Sequence, residues 1–347
     1  MKKHKIMLRI FAVSLLFLLN SCVAAKWEAK IDSLGEFSWP PPPNPLRVKY
    51  VGELASFSQT GKSLKSIIFG KSDSGKLHKP VAISLGQDGR IAIADLKRKG
   101  VHLFIPSSEK YKFLSSFNKI DLTAPVSVVF DNDLRLYISD SGLAKVLIFD
   151  SDGKFLSEIT HAGSERLKRP TGIAFHSQLD IIYLVDTLAH KVHIYDSDGN
   201  YKKSFGKRGT GDGEFNLPTH IAVGRNGKVY VNDAMNFRAQ VFSPPSIFLA
   251  KFGVHGNGSG DFAMPKGIAV DRDENIYVAE TLFDLVQVFN LGGDFLLSIG
   301  AKGEKPGEFW MPSGLFIDRY EKLYICDTYN SRVQIFQLVD RALGGVE

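Results

Sequence analysis

Pro312-Ser-Gly-Leu-Phe-Ile-Asp318, followed by Leu323-Tyr-Ile-Cys-Asp327, is a phrase that this chain repeats six times. A proline precedes two small or polar residues, an apolar triplet and a short turn, and a second strand then ends in an acid. The prolines are Pro80, Pro125, Pro170, Pro218, Pro265 and Pro312, spaced 45, 45, 48, 47 and 47 residues apart. A period of this length, built only of short strands and turns, describes a radial array of small sheets. The reading is all-β: a six-bladed β-propeller with four-stranded antiparallel blades, closed by an N-terminal strand. The array spans residues 47–338 as one domain, with a tail at 339–347.

The third repeat shows the blade pattern. Gly172–Phe175 reads as the inner strand, Ile181–Val185 as the second, Lys191–Tyr195 as the third and Tyr201–Phe205 as the outer one. Asp196-Ser-Asp-Gly199, like Asp150-Ser-Asp-Gly153 one repeat earlier, joins the last two strands. Asp-Gly between strands is hairpin chemistry, because glycine takes positive φ without a Cβ clash. These turns lack the alternating ligands of a calcium loop.

The last repeat stops at Arg332-Val-Gln-Ile-Phe336 without an outer strand of its own. Arg47–Leu54 reads as a strand outside the repeats and is expected to complete it, removing an open edge. Ser63–Phe69 is the rival, since it occupies the place before Pro80 that an outer strand takes elsewhere.

The formal charge of +6 comes mostly from the first 21 residues, where Lys2, Lys3, Lys5 and Arg9 stand without an acid. Without those four the chain carries 39 basic against 37 acidic side chains, which is no footprint for a nucleic-acid partner. The basic start and the apolar run Ile10–Leu19 read as a signal peptide over residues 1–21. Leu19-Asn-Ser-Cys22 resembles a bacterial lipobox, which implies lipidation at Cys22 and a membrane anchor. An ordinary signal peptide with an incidental cysteine is the alternative. Val23 after the cysteine favours the outer over the inner membrane, in a periplasm-facing cell-envelope location. Residues 22–46, with Trp39-Pro-Pro-Pro-Pro-Asn-Pro45, read as a Pro-rich tether. Cys326 falls in an apolar strand and is expected to be buried, leaving no intrachain disulfide.

Pro312–Asp318 with Leu323–Phe336, Pro265–Asp271 with Ile276–Thr281, and Pro218–Val223 with Val229–Asp233 closely resemble the NHL repeat. Phe205–Phe215, Phe252–Phe262 and Ile299–Phe309 resemble that family's linkers between blades, whereas repeats 1 and 2 have degenerate linkers. The resemblance covers residues 47–338 and implies a six-bladed propeller, in agreement with the prolines.

Asp95, Asp140, Asp186, Asp233, Glu280 and Asp327 close the six second strands. A metal ring is one reading. The one adopted is structural: each acid accepts N–H bonds from the turn into the third strand and, in four repeats, pairs with the base that follows it, namely Lys145, Lys191, Arg238 or Arg332. The positions after the prolines are expected to line the channel mouth. They are Val81/Ala82, Val126/Ser127, Thr171/Gly172, Thr219/His220, Lys266/Gly267 and Ser313/Gly314.

Propeller amidating lyases hold zinc with three histidines near these positions, and here only His220 stands there. Calcium-dependent lactonase propellers need axial carboxylates and amides, and none of the twelve residues is either. No cofactor and no metal site are therefore expected. Candidate binding residues are Thr219, His220, Lys266 and Ser313 at the mouth, with His161, His255 and Trp310 on the rim beside Phe237, Phe283 and Tyr329. His220 has a plain alternative as filler of the channel wall. The functional expectation is a monomeric, exported scaffold that binds a protein or an envelope glycan without catalysis. The rival is a hydrolase or lyase centred on His220.

Overall fold

The computed structural model describes residues 26–35, 37–41, 47–60 and 75–339. Residues 1–21, read as a signal peptide, Cys22, Pro42, Pro43, Pro45, Ser63–Phe69 and the tail beyond 339 lie outside them.

Six antiparallel sheets form the ring. Blade 1 runs through Pro80–Leu85, Ile91–Asp95, Gly100–Ile105 and Lys110–Leu114, and blade 2 from Pro125–Phe130 to Phe155–Ile159. Blade 3 begins at Pro170–His176, blade 4 at Pro218–Val223, blade 5 at Pro265–Val270 and blade 6 at Pro312–Ile317. The alternation read from the third repeat places all four of its strands. The second strand of every blade is buried throughout or nearly so, because both of its faces pack against neighbouring blades.

Between the large prolonged faces, aromatic plugs fill the wedge left by radial packing. Phe215, Phe262 and Phe309 end the three glycine-rich linkers and are fully buried. Phe262 stands 5.4 Å from Phe289, and Phe215 stands 5.8 Å from Phe242, edge to face or tilted as aromatic pairs prefer. The degenerate linkers after blades 1 and 2 are replaced by two-residue hairpins, Ser116–Phe117 with Ile120–Asp121 and His161–Ala162 with Glu165–Arg166.

The ring closes as the sequence predicts. A 13-residue strand, β3 (Val48–Thr60), pairs antiparallel with Arg332–Leu338 and puts Tyr50 opposite Phe336 and Leu54 opposite Val333. Of residues 22–46, read as a tether, the described ones include two strands that pair with β3. β1 (Lys26–Asp32) pairs along the outer edge of β3, and β2 (Ser38–Trp39) pairs with its start. Trp27 and Ala29 point inward at strand period, and the Trp27 ring lies 4.5 Å from Tyr111 in blade 1. The Trp27 N–H also donates to Glu109 O. Phe57 of β3 packs on Phe104 and Tyr111 as well, at 5.5 and 5.4 Å. The N-terminal strands therefore complete blade 6 and also fasten it to blade 1.

A chain that begins at residue 37 lacks β1 and is expected to fold with a lower thermal midpoint. One that begins at residue 61 also lacks β3, exposes Val333 and Phe336, and is expected to lose its cooperative transition. Thermal unfolding followed by circular dichroism distinguishes them, and equal midpoints in both would contradict this closure.

Candidate functional site

Two sets of segments meet at one end of the ring. The loop between the second and third strands of each blade hydrogen-bonds to the residues that lead into the inner strand of the same blade. Examples are Leu96 N–H to Lys79 O, Thr187 N–H to Arg169 O and Tyr329 N–H to Trp310 O. We call this end the front face.

The six acids hold it together. Asp140 accepts from Thr123 N, Thr123 Oγ1, Ala124 N, Gly142 N and Leu143 N. Asp95 accepts from His78 N, Lys79 N and Arg98 N, Asp186 from Lys168 N, Arg169 N and Ala189 N, and Glu280 from Ala263 N and Met264 N. The donors thus come from the lead-in as well as from the turn into the third strand. Burial pushes Asp95 up, but the bonds from His102 and from the N–H groups outweigh it and leave the carboxyl below its usual range. Burial prevails at Asp233 and Asp327 and raises both.

The expected partner bases divide. Arg238 and Arg332 pair with Asp233 and Asp327, each at 2.8 Å. Lys145 and Lys191 do not pair with Asp140 and Asp186. Their flexible stems carry the amines outward to Glu158 and Glu165. The residue two places further along the third strand turns out to matter, and it was not singled out from the sequence. His102 Nε2 lies 3.5 Å from Asp95 and His193 Nε2 3.7 Å from Asp186, while Gln240 and Gln334 donate to Asp233 and Asp327.

The same glutamines lock the linkers. Gln240 accepts Gly213 N–H and donates to Glu214 O, and Gln287 and Gln334 repeat this clamp at Gly260/Asp261 and Gly307/Glu308. The rim is therefore held rather than loose. His255 sits in one such linker with its ring 4.2 Å from Phe237. His161 lies in the hairpin after blade 2, exposed, with Nδ1 at 2.8 Å from Thr160 Oγ1.

Around the channel, the inner strand of every blade slips register directly after its proline, for example between Pro170 and Ile173 and between Pro312 and Leu315. Such a bulge re-aims the extra side chain. At the second position after the proline, blades approach so closely that a Cβ on Gly172 would stand 2.7 Å from His220 Cα, and one on Gly314 would stand 2.5 Å from Val81 O. Glycine there is a packing requirement.

Ser313, expected to present its hydroxyl at the mouth, is instead 3% exposed and bonded to Thr328 Oγ1 and Val81 O. The cause is a clasp between blades. The threonine after the acid donates across the seam to the next blade's proline carbonyl: Thr187 to Pro218, Thr281 to Pro312 and Thr328 to Pro80. The dipeptides Asp186-Thr187, Glu280-Thr281 and Asp327-Thr328 carried that signal.

Thr219 and His220 follow the blade-4 proline and Lys266 follows the blade-5 one, and the Lys266 charge acts on the His220 ring. His220 lines the channel. Its Nδ1 and the Thr219 hydroxyl are buried without a hydrogen-bond partner, as is Asn232 Oδ1. Asn232 Nδ2 donates to Lys266 O. Burial, with the Lys266 charge adding, pushes the His220 imidazole from 6.5 down to about 3, so the ring is neutral. Burial also lowers the Lys266 amine. The channel below holds about 150 Å³ and is lined by apolar side chains such as Ile221, Ile268, Leu315 and Phe175 together with Ser84, Ser127 and polar atoms of the inner strands.

Outside the mouth the front face is unevenly dressed. Leu188, Met235, Leu282 and Tyr329 occupy one equivalent position, two residues after the acid, in blades 3 to 6, and all are exposed. Trp310 joins them with its ring 5.5 Å from Tyr329. Lys97 and Lys99 of blade 1 and Lys168 and Arg169 of blade 3 are exposed with no ion pair among the described residues, and Lys79 lies over the Tyr329 ring at 4.2 Å. Among the described residues, the two positions before each proline and these loops carry one acid, Asp284, which is buried and accepts Met311 N–H, while the linkers behind them add the exposed acids Asp121, Glu165, Asp212 and Glu304. Among the described residues no three His, Cys, Asp or Glu side chains converge as a metal set.

The protein is thus a six-bladed β-propeller with a cationic and apolar front face. A family model described as a 6-bladed β-propeller matches residues 166–238 and 273–343. Protein brain tumor of Drosophila melanogaster is 40% identical over 57 residues, 16% of this chain, and the match spans only 5% of that protein. Similar solved structures include an auxiliary nutrient binding protein from Bacteroides thetaiotaomicron, with 12% identity and a TM-score of 0.59 over 77% of this chain and 70% of that one. A gluconolactonase from Xanthomonas campestris has 15% identity and a TM-score of 0.58, over 89% and 100%. Virginiamycin B lyase from Staphylococcus aureus has 13% identity and a TM-score of 0.56, over 77% and 96%. At these identities the likeness is one of fold.

Two outcomes are expected. D140A leaves five donors without their acceptor and costs about 3 kcal/mol in urea unfolding, whereas a loss near zero would deny the acid its structural role. The unfolded chain takes up a proton on His220 near pH 6.5 that the folded chain refuses until about 3. Wild-type stability should therefore fall more steeply than that of H220Q as pH drops through this window. Parallel stability curves would show the imidazole to be solvated.

Proposed function

We propose that this protein is an exported, lipid-anchored, monomeric scaffold of the bacterial cell envelope that binds a partner protein through its front face without catalysis. The observation that carries the reading is the dressing of that face. Four blades in succession present an apolar side chain at one equivalent position, beside a cationic arc of blades 1 and 3. Large exposed apolar groups rimmed by charge mark protein contact surfaces. Tyr329 and Trp310 are the side-chain types that anchor such contacts, and the clamped loops reduce the ordering entropy of binding.

An envelope glycan is the other occupant with which this face is compatible, through Trp310 and Tyr329. Propellers of similar fold include a nutrient binding protein as well as a lactonase and a lyase, so the fold admits either use. Here the mouth offers one neutral histidine, whose Nδ1 has no hydrogen-bond partner among the described residues.

Capture from a detergent-solubilised membrane fraction tests this. The wild-type chain should retain one partner that L282D and M235D lose at least tenfold, while L179D on the opposite face retains it. Equal capture by all four would refute the front-face reading. Turnover of a lactone by the purified chain, abolished in H220A, would replace it with the hydrolase or lyase.

A further inference from the structure

The N-terminal edge of the ring carries apolar side chains that neither the closure nor the front face uses. Ile31, Leu34 and Phe37 are 51%, 52% and 40% exposed. Strand period would turn Ile31 inward after Trp27 and Ala29. The pairing of β1 with β3 instead slips between Lys30 and Ile31. Ile31 comes to lie over Gly52, where a Cβ would stand 3.1 Å from its Cγ2. Phe37 sets its ring edge to face against Tyr50, with centroids 6.1 Å apart. Ile31 and Phe37 therefore sit on one stretch of β3, and Leu34 lies in the loop between them. Exposed apolar side chains gathered in this way mark a contact surface.

What meets this patch follows from where the preceding chain is held. Val23-Ala24-Ala25 alone separate Cys22 from Lys26, the first residue of β1. That length of chain reaches at most about 14 Å, so an acylated Cys22 leaves no spacer between bilayer and ring. The strand from Lys26 to Ile31 adds only about 17 Å. On so short a leash the effective concentration of lipid at this edge is high, and a few apolar side chains suffice for contact. The cations of β1 are already paired, Lys26 with Glu109 at 2.7 Å and Lys30 with Asp32 at 3.1 Å. The contact therefore calls for an apolar surface rather than an anionic one.

We propose that Ile31, Leu34 and Phe37 enter the lipid surface that holds the acyl chains of Cys22, so that the ring stands on its blade-6 rim. The proposal rests on lipidation at Cys22 and adds an orientation to it. β1 lies along the outer edge of the blade-6 sheet, so the rim meets the bilayer and the front face opens sideways to a partner.

The test uses the full chain with one introduced cysteine, L34C, F37C or Y201C, carrying an environment-sensitive fluorophore. The chains are reconstituted in phosphatidylcholine vesicles that contain a nitroxide lipid. Cys326 is buried and Cys22 is acylated, which leaves the introduced thiol to react. Tyr201 is 38% exposed on the outer strand of blade 3, across the ring. The labels at 34 and 37 should be blue-shifted and quenched at least about twofold, and the label at 201 should be unchanged. The double variant L34D/F37D should pass to fresh vesicles at least about tenfold faster than wild type, and L156D at the wild-type rate. Mass spectrometry of the amino-terminal peptide reads the anchor independently. Acylated Cys22 with an unquenched label at 34 would overturn the contact and leave the anchor standing. If Cys22 carries no acyl chain, quenching of the label at 34 on a chain that begins at Val23 would keep the contact and overturn the anchor. A blue shift without quenching would put protein rather than lipid on the patch and overturn the proposal, as would equal quenching at 201.

Discussion

A carboxylate removed from water costs several kcal/mol unless donors fill its oxygens. Each blade fills them from two places at once, the segment leading into its inner strand and the turn leaving its second strand. Asp140, with five donors, shows the arrangement in full. Because those two segments are also the ones that surround the channel, the requirement to satisfy a buried acid sets the position of every residue on the front face. The threonine clasps then carry this order across seams, including the closing one, where Thr328 reaches Pro80 O and Ser331 reaches His78 O.

Onto this repeated frame the chain places an unequal surface. Blades 4 to 6 lock their glycine-rich linkers with glutamine clamps and raise apolar side chains beside them. Blades 1 and 2 dispense with those linkers, and blades 1 and 3 carry the unpaired bases. The scaffold is thus nearly six-fold while its chemistry is not, as expected where a rigid core positions variable loops for recognition. His220 and Lys266 break the symmetry again at the mouth, where other blades need small residues for close approach.

The blades were legible because their signals are local. Period-two apolar alternation, proline before the inner strand and Asp-Gly at the outer hairpin each act within a few residues. The closing strand could be found because the last repeat visibly lacked one. What escaped depended on distant partners. β1 reads as polar chain until β3 and Tyr111 are beside it. Ser313 looked free because its acceptor, Val81 O, belongs to a strand 232 residues away. The lysines were assigned to the acids by spacing alone, whereas Arg238 and Arg332 have the planar fork that reaches acid and linker carbonyls together. The turn into each third strand ends in a left-handed residue (Lys99, Ala144, His190, Phe237, Asp284 and Ser331), and none is the glycine that would have announced it.

The central claim is that the front face is the surface this protein uses. Amide hydrogen exchange of the intact chain, alone and saturated with the partner captured from the membrane fraction, addresses it most directly. The account predicts added protection in the loops at residues 187–190, 234–237, 281–284 and 328–331, with unchanged exchange in the turns at the opposite end of the blades. Protection confined to those opposite turns, or to the outer strands, would contradict it.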